Sequence, residues 1–204
     1  MRPSPTATHQ PLAVEAELAD GPVRFVRERL RLPLGREASF GWLRHPPSVM
    51  VVPRLADGRL LLARRWRPAV GRWVLEFPAG PLAPEEAPAG GASRLLRDLL
   101  GRGEGQWHPL GELRPNPGYS DERMAIGWLA LERDAATEME RDGALELDAS
   151  APTAVGGLTP AEEATTRRWL CAPAALDAAF SNLAEPVDGR SVSAWFLARR
   201  GGIG

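Results

Sequence analysis

LEFPAGPLAPEEAPAGGASRLLRDLLG, residues Leu75–Gly101, carries the order strand, loop, helix on which the fold turns. Its approach, RWVLEFPAG (Arg72–Gly80), reads as a strand that ends at Pro78, because proline has no N–H to give to a ladder. A loop rich in Pro and Glu follows. A helix is then expected over roughly Ala87–Leu100, stopped by Gly101, which can take the left-handed conformation that closes a helix. Ala89, Ala92, Leu96 and Leu100 form an apolar stripe at helical spacing, and Leu95 and Leu99 widen it. Taken alone, this is the pattern of an ordinary amphipathic helix. Gly90 and Gly91 cost roughly 1 kcal/mol each against Ala, so a loose first turn is expected.

Upstream, SVMVVPRL (Ser48–Leu55) is a continuous apolar run, as in a strand covered on both faces. Asp57-Gly58 signals a hairpin into GRLLLARRWRP (Gly58–Pro68). VRFVRERLRLPLG (Val23–Gly35) alternates apolar and charged residues, and ASFGWLRHPP (Ala38–Pro47) offers another short strand. Residues 1–22 are rich in Pro, Ala and Thr and are expected to be a disordered tail. Downstream, Trp107–Gly118, Met124–Asp134 and Ala164–Ala172 read as strands. Residues 135–157 read as a long exposed loop, and Ala172–Ala184 and Ser191–Arg200 as helices. Strands outnumber helices and interleave with them irregularly. An α/β (α+β) fold with a mixed sheet and helices packed on it is expected, as one domain over 23–204.

With 204 residues the chain can bury a full core. Its formal net charge of −1 and the lack of a basic stripe argue against nucleic acid as partner. The basic residues are all Arg, which suits phosphate but is read first as a codon bias toward Arg, Ala, Gly and Pro. The lone Cys171 excludes a disulfide framework, and His9, His45 and His108 have no metal spacing. No apolar run is long enough to span a bilayer and the N-terminus lacks an apolar signal core, so a cytoplasmic location with no membrane partner is expected.

Leu75–Gly101 resembles the Nudix hydrolases, and within them the ADP-ribose and nucleoside-diphosphate-sugar pyrophosphatases. That family's box runs Gly, five residues, Glu, seven residues, then Arg-Glu-apolar-any-Glu-Glu-any-Gly. Gly80, Glu86, Arg94, Leu96 and Gly101 match it at the required spacing. Asp98 stands for the first Glu of the closing pair, and Leu95 and Leu99 stand where the other two glutamates belong. The approach Arg64–Gly80, the loop PNPGYSDER (Pro115–Arg123) and Asp188-Gly189-Arg190-Ser191 before the last helix are also similar to the subfamily, so the resemblance covers roughly Val23–Arg200. It implies a Nudix-type α/β/α sandwich, with core 46–200 and extra antiparallel N-terminal strands at 23–45 that build a homodimer.

The resemblance also implies residue roles. Metal, Mg²⁺ or Mn²⁺, would fall to the Ala79 carbonyl, Glu86 and Asp98. Catalytic carboxylates would be Asp98 with Glu162 or Glu163. A nucleotide or sugar nucleotide would be held by Arg64, Trp66, Arg67, Glu76, Tyr119, Ser120 and Asp121, with Arg65 and Trp73 beside them. Several of these also have plain readings: Glu85, Glu86 and Asp98 as a solvated acidic surface, Glu162 and Glu163 as an exposed pair, and Ser120-Asp121 as turn chemistry. Hydrolysing a pyrophosphate gathers negative oxygens around a water, and Mg²⁺ offsets that charge through hard oxygen ligands. Each unit-charge contact is worth roughly 4 kcal/mol at 4 Å and an effective dielectric near 20, before dehydration. Positions 95, 98 and 99 lie at i, i+3, i+4 and share one helix face. Leucine has no lone pair, so turnover is expected to be weak or absent. Three functions remain: a sugar-nucleotide pyrophosphatase, an inactive relative that binds the nucleotide as sensor or regulator, and a structural or interaction protein.

Overall fold

The computed structural model describes residues 9–101, 103–131, 145–146, 166–181 and 186–203. The chain divides into two compact units, residues 1–47 with 114–124, and residues 48–113 with 125–204.

The first unit is a three-stranded antiparallel sheet in the order β1 (Gln10–Asp20), β2 (Val23–Arg31), β3 (Glu37–Arg44). β1 replaces the expected tail over Gln10–Asp20; residues 1–8 of that expectation lie outside the described residues. Leu12, Val14, Ala16 and Leu18 alternate with Glu15 and Glu17, a period-two signal masked by the Ala and Pro content. β1 pairs with β2 along its whole length, from Gln10↔Arg31 to Asp20↔Val23. Val26 and Glu28 of β2 are buried, while Phe25 on the opposite face stays exposed. The loop after Arg114 belongs to this unit: Leu43 N–H donates to the Tyr119 carbonyl at 2.7 Å, and Asp121 N–H donates back to Leu43 at 3.1 Å.

The second unit holds the mixed sheet expected from the sequence. Its main path runs β10 (Leu145–Glu146), β11 (Thr166–Cys171), β5 (Leu60–Arg67), β4 (Ser48–Arg54), β9 (Met124–Leu131), β8 (Gly105–Leu113). β6 (Arg72–Glu76) pairs with β5, and β7 (Ala79–Pro81) with β4. The single strand read over Arg72–Gly80 is therefore two strands, and Pro78 marks the step from one partner to the other. The helices are α1 (Pro88–Leu100), α2 (Pro173–Ser181) and α3 (Gly189–Arg200). β4 packs against both α1 and α3, which is why its apolar run is buried almost throughout. Among the described residues, no helix is long and apolar enough to cross a membrane.

The core beneath α1 consists of Val49, Val51, Leu55, Leu61, Leu129, Leu131 and Leu170 with Ala92, Leu96 and Leu99 of the helix. Leu95 and Leu100 flank it, half-buried. The centre of the stripe is thus Ala92, Leu96 and Leu99, not Leu96 and Leu100 as the sequence suggested. Leu99 is 5% exposed and turns inward. Cys171, at the end of β11, is also buried; desolvation pushes its thiol up to about 12.

The two helix glycines differ. A Cβ on Gly91 would lie 2.3 Å from Leu82 Cδ2 and 3.1 Å from Val49 Cγ1, so both side chains would have to shift to admit it. A Cβ on Gly90 would meet only Glu86 Cγ, at 3.7 Å. Gly90→Ala is expected to stabilise the protein by about 0.5–1 kcal/mol through helix propensity, while Gly91→Ala destabilises it by about 1–3 kcal/mol. Urea midpoints of the two variants moving in opposite directions would show this.

Candidate functional site

Glu86 and Arg94 fix the loop to the helix. Arg94 Nε donates to Glu86 Oε1 at 2.9 Å and Nη2 to Oε2 at 2.8 Å, and Nη2 also reaches the Pro81 carbonyl at 2.9 Å. Ala83 N–H donates to Glu86 Oε2 at 2.8 Å. Both carboxylate oxygens are therefore engaged. The Arg94 guanidinium and the Ala83 N–H hold the Glu86 carboxyl down at about 2. A lowered folded value means the pair supports the fold above the ordinary Glu range, and that support is lost as pH falls from there toward 2. Glu86→Gln is expected to flatten this acid limb in chemical denaturation followed against pH; an unchanged limb would mean that Glu86 does not carry it.

Asp98 points to solvent, its side chain 64% exposed, with Arg94 Nη1 at 3.9 Å, an arrangement that contributes little energy. Ala79 lies in β7 opposite Met50. Leu95 lies across Gly80, where an added Cβ would stand 2.8 Å from Leu95 Cδ2. Leu99 is in the core. Positions 95, 98 and 99 thus run from half-buried through solvent to core, instead of sharing one cleft face. The described residues do not fit Mg²⁺ or Mn²⁺: Glu86 is committed to Arg94, two positions are leucine, and among the described residues no group of three or more His, Cys, Asp or Glu could hold a metal. Glu162 and Glu163 lie outside the described residues.

The hairpin β5–β6 separates the other candidates by face. Alternation along β5 puts Arg65 and Arg67 on the side of Leu61, which faces α1, and Arg64 with Trp66 on the other. Glu76 is 2% exposed and lies with the first set. Arg67 Nε donates to Glu76 Oε2 at 3.0 Å and Nη2 to Oε1 at 2.6 Å, and Arg65 Nε is 3.5 Å from Oε1. Burial pushes the Glu76 carboxyl up despite the opposing pull of Arg67 and Arg65. Trp66 is exposed and meets Trp73 edge to face, with centroids 6.0 Å apart. Arg67 and Glu76 are therefore together, and Arg64 and Trp66 are not with them.

Tyr119, Ser120 and Asp121 belong to the first unit. Asp121 Oδ1 accepts His45 N–H at 2.8 Å, Ser120 Oγ accepts Glu122 N–H at 3.1 Å, and the Tyr119 side chain is exposed. Ser120 holds its own loop, and Asp121 ties that loop to His45 just after β3.

Sequence reasoning noted Asp188 and Ser191 without giving them a role, and missed Arg168. Ser191 accepts Phe77 N–H on Oγ at 2.9 Å and donates to Asp188 Oδ2 at 2.8 Å; Asp188 also caps α3, so α3 is tied to the end of β6. Arg168 of β11 is 3% exposed, and its Nη1 donates to the Leu99 carbonyl at 3.1 Å. An arginine inside the apolar stretch RRWLC was the available signal.

A NUDIX domain family model matches residues 44–170. An ADP-ribose pyrophosphatase of Mycobacterium tuberculosis (strain ATCC 25618 / H37Rv) is 31% identical over 101 residues, 49% of this chain and 49% of that protein. One of Bacillus subtilis (strain 168) is 27% identical over 99 residues, 48% of this chain and 54% of that protein. A methanol dehydrogenase activator of Bacillus methanolicus is 27% identical over 100 residues, 49% of this chain and 54% of that protein. The chain spans about half the length of these curated relatives. A crystal structure of an ADP compounds hydrolase shares the fold, with a TM-score of 0.67 at 22% identity, over 97% of this chain and 96% of that one.

Proposed function

Since this chain belongs to the NUDIX family, we propose that it binds a nucleoside-diphosphate sugar of the ADP-ribose class and hydrolyses it weakly or not at all. The placement of Leu99 carries this reading: the box position that would bring a third carboxylate to the cation is part of the hydrophobic core. What supports binding is the retained frame. Gly80 and the Glu86–Arg94 pair hold the loop, and Arg65 and Arg67 surround Glu76 on the face that meets α1. Guanidinium groups attract phosphate oxygens, and Arg67, its side chain 39% exposed, is the more accessible of the two. Two of the curated relatives carry the name of a pyrophosphatase and one that of an activator. In an active relative, a divalent ion would offset pyrophosphate charge and orient water; here Leu95 and Leu99 stand for two of its carboxylates, Glu86 is bonded to Arg94, and Asp98 is exposed.

Calorimetry with ADP-ribose, paired with an assay for AMP release in Mg²⁺ or Mn²⁺, tests this. Heat of binding without release of AMP is expected. Robust, chelator-sensitive turnover would overturn it in favour of a working pyrophosphatase. Absence of binding would leave the structural or interaction reading. The assembly proposed here is a homodimer through the β1–β3 sheet, whose Leu18 and Phe25 form an exposed cross-strand pair. Phe25→Asp should shift its mass in light scattering to that of a monomer.

A further inference from the structure

We infer that the box helix of this chain has exchanged its divalent cation for an internal one: the Arg168 guanidinium supplies the fixed positive charge at the C-terminal end of α1, and the phosphate-bearing ligand binds without Mg²⁺. The second half rests on the sugar-nucleotide reading above; the first does not.

Three observations converge. The Leu99 carbonyl is one of the last carbonyls of α1, which have no partner inside the helix and carry its negative end. Arg168 Nη1 donates to it at 3.1 Å from a side chain 3% exposed. This places a charge-assisted bond at the residue whose family counterpart, by resemblance, would bind metal. Next, the register puts Arg168 opposite Ala63, and Ala63 opposite Glu76. Arg168, Ala63 and Glu76 form one row across three strands, on the same face as Arg65 and Arg67. The small Ala63 leaves this face to guanidinium and carboxylate. Finally, the Leu99 side chain packs with Val51, Leu61 and Leu170, so position 99 faces no aqueous cleft. A divalent ion brought to this helix end would find the Leu99 carbonyl already bonded to a buried guanidinium. Arginine gives phosphate a planar fork with no need for dehydration of a bound ion.

Mn²⁺ titrations followed by electron paramagnetic resonance on the protein alone, and ADP-ribose calorimetry in EDTA and in Mg²⁺, form the test. Full intensity of the free Mn²⁺ signal in the presence of protein is expected, with equal ADP-ribose affinity in both buffers. Stoichiometric loss of the Mn²⁺ signal, or ADP-ribose binding that vanishes in EDTA, would overturn the inference and leave the binding reading intact. Failure to bind ADP-ribose in either buffer would overturn the binding reading and the ligand half of the inference, while the Mn²⁺ titration still decides the other half. Arg168→Gln should lower the Tm and weaken ADP-ribose binding in EDTA, because it removes the guanidinium from the Leu99 carbonyl. An Arg168→Gln variant with unchanged Tm and unchanged ADP-ribose affinity would overturn the role given to Arg168.

Discussion

Leu99→Glu should destabilise the protein by about 3–5 kcal/mol, combining lost packing with the desolvation of a carboxylate. Leu99 sits among Val49, Val51, Leu61, Leu129, Leu131 and Leu170, a cluster with no room for bulk water. For a chain of this size that loss corresponds to a fall in Tm of about 10 °C. Leu95→Glu makes the same chemical change four residues earlier on the same helix. Leu95 is half-buried beside Gly80, so its new carboxylate can turn toward solvent, and a cost of about 1 kcal/mol is expected. The contrast between the two variants in thermal melts is the informative measurement. Equal and small shifts would show that Leu99 is not in the core, and with it the basis for doubting metal binding would go.

Glu76→Ala is expected to cost about 2–4 kcal/mol and to weaken binding of any phosphate-bearing ligand. It strips the carboxylate from Arg67 and Arg65, and their donors then face a protein interior with one acceptor group removed. Arg67 is partly exposed and can recruit water, which keeps the loss below that of a fully buried pair. Glu76→Gln behaves differently. Burial pushes the carboxyl up, so the neutral form is less disfavoured than in water; Gln keeps one acceptor but turns an NH2 toward the arginines, and Glu76→Gln should cost less than Glu76→Ala without being neutral. The pH dependence follows. A raised folded pKa means the folded chain holds the proton longer than the unfolded one, so this group's contribution to stability falls as pH rises from the ordinary Glu value through the raised one. Glu76→Gln should remove that fall in urea titrations. A wild-type curve that instead rises across that window would show Glu76 to be held ionised by its arginines.

The readable parts of the fold were those where local chemistry decides. β4 was plain from its uninterrupted apolar run, and α1 from its loop, its stripe and Gly101, which takes the left-handed φ of 75°. β1 was missed because its weak alternation becomes a strand only when β2 lies beside it. The phase of α1 was misread for a related reason. Six apolar residues on a helix of this length leave the centre of the stripe open between Leu99 and Leu100, and the sheet beneath decides. The Glu86–Arg94 contact follows from the box spacing. Arg168 over the end of α1 could not be read, because it depends on the register of β11 against β5 across a long intervening segment.

Cys171 has a practical consequence. Its sulfur is enclosed at the end of β11, donates to the Ala172 carbonyl at 3.2 Å, and stays protonated far above neutral pH. As the chain's single thiol, it should remain silent toward maleimides and iodoacetamide in the native state. Any cysteine engineered onto the surface would then be the sole point of attachment for a spin label or fluorophore, with the parent sequence serving as its own blank.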